Sequence, residues 1–100
     1  MIPATTPLHV FVLPFHTDLI KSVRVSYEQK GKIVLTKETG DFSKNESTLA
    51  VRLSQEETLL FSNVVQVRIQ LHVLTTGGDA LVSKIKTVPV DTLLDRRTIK

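Results

Sequence analysis

His9, His16 and His72 are the residues best suited to acid–base chemistry or metal binding near neutral pH. None stands four residues from another histidine or a carboxylate, the spacing that brings two ligands to one helix face. The chain has no cysteine, so a zinc site would need all three histidines plus Asp18 or another carboxylate, and no spacing supports that. His9 lies in an apolar run and His72 on the polar side of an alternating one, so structural or solvated roles are expected for both. Ser43, Ser47, Ser54, Ser62 and Ser83 fall in predicted loops, a helix cap or strand faces, and no Gly-x-Ser-x-Gly elbow presents a nucleophile. Adjacent Glu56 and Glu57 would point about 100° apart on a helix, which does not suit paired acid–base work. Gly77-Gly78 lacks the Lys-Ser/Thr that follows a phosphate-binding loop. Asn45-Glu46-Ser47 is a glycosylation sequon, which carries weight only in a secreted chain. The expectation is therefore a protein with no catalytic set, no metal site and no cofactor.

Composition narrows the class further. A length of 100 residues allows one domain with a modest core, and 41% apolar with 23% charged residues is ordinary for a globular chain. Without cysteine the fold stands on burial alone. Net charge is +3 from 13 basic and 10 acidic residues, interspersed rather than blocked. Nucleic-acid binders concentrate their cations and interleave aromatic platforms. The aromatics here are Phe11, Phe15, Tyr27, Phe42 and Phe61, with no tryptophan, which argues against nucleic acid and against a glycan platform. No window approaches the roughly 18–20 apolar residues of a membrane span. Leu8 to Phe15 contains His9 and Pro14 with no basic run before it, so neither a membrane segment nor a signal peptide is expected.

Hydrophobic periodicity supplies the elements. Residues 1–7 hold Pro3 and Pro7 and read as an extended arm, because proline fixes φ and cannot donate to a ladder. Leu8 to Leu13 reads as a short, largely buried strand stopped by Pro14. Leu19 to Glu28 and Lys32 to Lys37 form a hairpin around Gln29-Lys30-Gly31, with Ile33 and Leu35 on one face. Glu38 to Ser47 is a polar loop pinned by Phe42, with room for a short edge strand. Thr48 to Leu53 alternates, turning Leu49, Val51 and Leu53 inward. Ser54-Gln55-Glu56-Glu57 is a capping-box pattern, with Ser54 and Glu57 as reciprocal caps of a two-turn helix over residues 55–61. Val65, Val67, Ile69, Leu71 and Val73 then occupy alternate positions, the period of a strand with one buried face. Gln66, Arg68, Gln70 and His72 face the other way as a candidate interaction face. Thr76-Gly77-Gly78-Asp79 is a turn, and Ala80 to Val88 returns with Lys84 and Lys86 outward, guarding an edge. Val90 to Leu94 suits a last short strand or helical turn. The sum is an all-β, antiparallel, immunoglobulin-like sandwich of six to seven strands with one short helix, rivalled by a small closed barrel. Its divisions are the arm at 1–7, the domain at 8–94 and a charged tail at 95–100.

The order of pieces from Val23 to Leu94 resembles a family of small proteins encoded by phages and prophages of Gram-positive bacteria. The hairpin Val23-Arg24-Val25-Ser26-Tyr27 to Lys32-Ile33-Val34-Leu35 comes first, followed by Val51-Arg52-Leu53-Ser54-Gln55-Glu56-Glu57-Thr58-Leu59. A long alternating strand, a glycine turn and a final Val-x-Val-x-x-Leu-Leu at Val88 to Leu94 complete it. The Gln-Glu-Glu-Thr phrase is also similar to one in the amino-terminal β-sandwich domains of phage upper baseplate proteins. The resemblance implies a virion structural component of the tail or baseplate, present in the bacterial host cytoplasm during assembly and then in the virion. Its partners would be other phage structural proteins, including further copies of itself, with no membrane contact. Ile2, Pro3 and Pro7 would form a docking arm. The alternative is a small nucleic-acid-binding or regulatory phage protein.

Overall fold

The computed structural model describes residues 1–94 and 97–99. The described strands are β1 (Leu8–Val12), β2 (Ile20–Gln29), β3 (Lys32–Glu38), β4 (Phe42–Asn45), β5 (Thr48–Arg52), β6 (Val67–Thr75), β7 (Ala80–Val82) and β8 (Lys86–Val88). One helix, α1 (Gln55–Thr58), joins β5 to β6. The strands form two antiparallel sheets, one in the order β1-β5-β4 and the other β3-β2-β6, with β7 and β8 successively on the far edge of β6. Among the described residues both sheets keep unpaired edges, so the architecture is a layered all-β one and not a closed barrel.

Alternation builds the core as the sequence implies. Val23, Val25 and Tyr27 of β2, Leu49 and Val51 of β5, and Val67, Ile69, Leu71 and Val73 of β6 are all buried, with Leu53 and Phe61 beside them. The β2–β3 turn is a two-residue one at Lys30 and Gly31, both at positive φ, 53° and 78°. That mirror-image turn matches the twist of its strands, and glycine meets it without steric cost. The Ser54–Glu57 capping box is present in both directions: Glu57 N–H donates to Ser54 Oγ at 3.1 Å, and Ser54 N–H donates to Glu57 Oε1 at 2.8 Å. Lys37 of β3 reaches the same carboxylate at 2.6 Å. Burial pushes the Glu57 pKa up, but the Lys37 and Ser54 contacts outweigh it and hold the carboxyl below the usual glutamate range.

Several expectations are corrected. The helix is one turn, not two, because the bonds after Thr58 tighten: Leu60 N–H goes to Glu57 O and Phe61 N–H to Thr58 O, each three residues back. That tightening drives Phe61 into the core and leaves Leu60 exposed. Strand β6 starts at Val67, since the carbonyl of Val65 is taken by Gln29 Nε2 at 3.0 Å. Ile33 and Leu35 do not share a face. Tyr27 pairs Leu35 while Glu28 pairs Ile33, so Val34 is a bulge residue and Ile33 turns outward. The loop at 38–47 holds a 3-10 turn, Thr39–Asp41, and the edge strand β4. Val90 to Leu94 forms neither strand nor helix, although Val90 is buried. Of the tail at 95–100, Asp95, Arg96 and Lys100 lie outside the described residues; the Ile99 backbone exchanges two hydrogen bonds with the Gln55 amide.

The arm at 1–7 is bent rather than extended. It turns at Pro3 and Ala4, with Ala4 at φ 58° and Thr5 Oγ1 donating to Ile2 O, and it lies on the body of the domain. Thr58 Oγ1, fully buried, donates to Thr5 O and accepts from Thr5 N–H, and Arg52 Nη1 donates to Thr6 O. Pro3 is buried within the protein and Ile2 is exposed.

The strand expected at Ala80 to Val88 is two. His72 pairs Val82 and Ile69 pairs Lys86, so three steps along β6 face four along the return strand. The extra residue sits in Ser83–Ile85, where Ser83 Oγ accepts from Leu71 N–H at 2.9 Å in place of a ladder carbonyl. A one-residue slip exchanges the faces of a strand. Lys86, expected outward, therefore stands beside buried Ile69.

Candidate functional site

Strand β1 is the unusual edge of this molecule. It was expected to be largely buried, yet it is two-faced: Leu8, Val10 and Val12 are 50%, 56% and 78% exposed, while His9 and Phe11 turn inward. Alternation of apolar with apolar residues hid this, because the usual polar outer face is missing. The backbone continues the pattern. Leu53 N–H donates to Pro7 O at 3.1 Å, and Leu13 N–H donates to Ser47 O at 2.8 Å. In an antiparallel ladder bonded pairs recur every second residue. His9 and Phe11 thus bond β5, and the N–H and C=O of Leu8, Val10 and Val12 aim at the free edge. Among the described residues nothing pairs with that edge.

Beside it lies a cleft of about 610 Å³, running between the β1 edge and the β7–β8 side of the other sheet. Ile69, Leu71 and Val73 form its floor, Phe11 and Leu13 one wall, and Leu81 and Val88 the other. Its one charged lining residue is Lys86, brought there by the Ser83–Ile85 bulge. The register runs Lys86–Ile69–Tyr27 across the sheet, and His9 sits over Tyr27 with its Nδ1 2.7 Å from the phenol oxygen. Tyr27 is fully buried and packs on Phe61, ring centroids 5.8 Å apart.

This pair is held neutral. Burial lowers the His9 pKa, with the positive amino terminus and Lys86 adding to it. Burial likewise raises that of Tyr27, helped by the Glu57 carboxylate. One hydrogen bond joins the two neutral groups, and the His9 tautomer sets which of them donates. Protonating His9 is harder in the folded chain than in the unfolded one, so the unfolded state binds more protons as pH falls through the ordinary histidine range. Stability contributed here is present above that range and lost below it. The urea midpoint is expected to hold steady at higher pH, to decline between about pH 7 and 5, and to decline less in His9→Gln. A flat midpoint over that interval contradicts the assignment. The Glu57 contribution has the same sign but is lost only lower, as pH falls through its depressed carboxyl value.

The candidate interaction face on β6 is partly consumed by internal contacts. Arg68 pairs with Glu28 at 3.1 Å, and Gln70 Nε2 donates to Ser83 O at 3.0 Å. His72 lies half-buried between Arg24 and Val82 in the register, and Gln66 is exposed just before the strand. Arg68, Gln70 and His72 share the outer face of the sheet; they are not part of the cleft. His16 is exposed, its Nδ1 accepting from Asp18 N–H, and stands apart from His9 and His72. Among the described residues no three of histidine, aspartate and glutamate gather as a metal cluster. No described helix is long and apolar enough to cross a membrane.

Two polar staples were missed from the sequence. Gln29, buried, donates from Nε2 to Ser62 O and Val65 O and accepts Ser62 N–H on Oε1. Its parity with Val23, Val25 and Tyr27 was the signal that it faces the core. Thr58 sits one place past the capping glutamate, and nothing local marks its burial. What the cleft offers chemically is adhesion: main-chain donors and acceptors along one wall, apolar side chains beneath, and one cation. Comparison with known protein families matches none of them, and no curated protein matches the chain.

Proposed function

We propose that this chain is a non-enzymatic structural component of a phage or prophage virion, of the tail or baseplate kind, acting through protein–protein contacts. The observation that carries the contact role is the uncharged edge of β1, unpaired among the described residues, beside an apolar cleft. Soluble β proteins ordinarily blunt such edges with lysine, proline or brevity. That holds for the other edges here: β3, β4 and β8 each carry lysine, and β7 is three residues long. Pro7 and Pro14 bound β1 instead, limiting what it can pair with to one short segment. The phage setting rests on the ordered resemblance from Val23 to Leu94. The proposed location is the host cytoplasm during assembly and the virion afterwards. Mass spectrometry of particles purified from a host carrying this gene is expected to find the chain at a fixed ratio to the tail proteins. Its absence from particles, or salt-sensitive retention of DNA or RNA by the pure protein, counts against the proposal.

A further inference from the structure

The cleft beside β1 is polarised along its length. At one end stand Lys86 and His9; at the other are Phe15 and Leu81, with only apolar side chains between them on the floor. Lys86 is exposed and forms no ion pair with a carboxylate among the described residues. A bound molecule that satisfied only the floor and the cation would leave the N–H and C=O groups of Leu8, Val10 and Val12 unused. An extended peptide uses all three features at once: its main chain continues the sheet, alternate side chains fill the floor, and a carboxylate meets the amine. Leu8 to Leu13 spans about 20 Å at roughly 3.3 Å per residue, which sets the segment at about six residues.

We propose that the β1 cleft accepts an extended segment of another virion protein, added as a strand to β1, with apolar side chains at alternate positions and an aspartate or glutamate that meets Lys86. The proposal rests on the reading of the chain as a protein-contact module and names the partner's chemistry. Negative charge on that partner complements both Lys86 and the net charge of +3.

The test uses the full chain and short fluorescein-labelled peptides in which valine alternates with threonine, each with a single aspartate at one end or the other, read by fluorescence anisotropy. Matched peptides carry lysine in place of aspartate. One aspartate peptide is expected to bind and its lysine counterpart to bind about tenfold more weakly or worse. Lys86→Glu reverses that order, whereas Lys84→Glu leaves it unchanged within about twofold. Val10→Pro removes an edge-facing N–H and weakens the aspartate peptide about tenfold; circular dichroism like that of the wild type secures its fold. The inference is overturned if no peptide binds or if Lys86→Glu changes nothing. It also falls if light scattering shows a dimer that Val10→Pro dissolves, which puts a second copy on the edge, or if palmitate binds in a Lys86-dependent way and peptides do not. Recovery of the chain in particles together with failure of every peptide removes this inference and leaves the contact module standing.

Discussion

Replacing Tyr27 with alanine is expected to cost about 3–5 kcal/mol, the range of large aromatic truncations in a packed core. Tyr27 lies in the second half of β2 with no exposed surface, its ring against Phe61 and its hydroxyl on His9. Truncation opens a cavity between the sheets and strands His9 Nδ1 without its partner. A domain of this size has about 5–15 kcal/mol in total, so a large part of the folded population is at risk. Tyr27→Phe separates the two effects: it keeps the ring and loses the hydrogen bond, at about 1 kcal/mol. Urea unfolding followed by circular dichroism reads both. A Tyr27→Ala cost near that of Tyr27→Phe contradicts the placement of the ring between the sheets.

The second large effect belongs to Gln29. Its amide satisfies three backbone groups in the segment that leads from α1 into β6, at 2.7, 3.0 and 2.9 Å. Gln29→Leu fits the volume but leaves Ser62 N–H and the carbonyls of Ser62 and Val65 without partners, at about 2–4 kcal/mol after partial rescue by water. Gln29→Glu retains the acceptor for Ser62 N–H and loses both donors, setting a carboxylate against two carbonyl oxygens. It is expected to be at least as destabilising as Gln29→Leu at neutral pH, again in urea unfolding. A Gln29→Glu protein as stable as the wild type contradicts the staple.

How far the fold could be read in advance follows from these residues. The β2, β5 and β6 cores were legible because Val23, Val25 and Tyr27, then Leu49, Val51 and Leu53, then Val67 to Val73 place large apolar residues at every second position, and period two has one structural meaning. The Ser54–Glu57 box was legible because both partners lie within one turn. The β1 edge was not, since Leu8, Val10 and Val12 look like core when both faces are apolar. Nor was the turning of Lys86 into the cleft. It depends on one extra residue opposite β6, and such a slip is decided by pairing across the sheet rather than by anything local in Ser83-Lys84-Ile85. Of the candidate face, Arg68, Gln70 and His72 lie on the outer side of β6, whereas Gln66 precedes the strand. The Glu28 and Ser83 partners of Arg68 and Gln70 lie 40 and 13 residues away in sequence and were invisible.

The claim on which the rest depends is that β1 is paired on one side only. Residue-resolved amide exchange by NMR tests it directly. The predicted result alternates: His9 and Phe11, bonded to β5, exchange slowly, whereas Leu8, Val10 and Val12 exchange as fast as loop amides. Equal, slow exchange along the whole of Leu8–Val12 in the free protein would mean the edge is already covered, and would contradict the account.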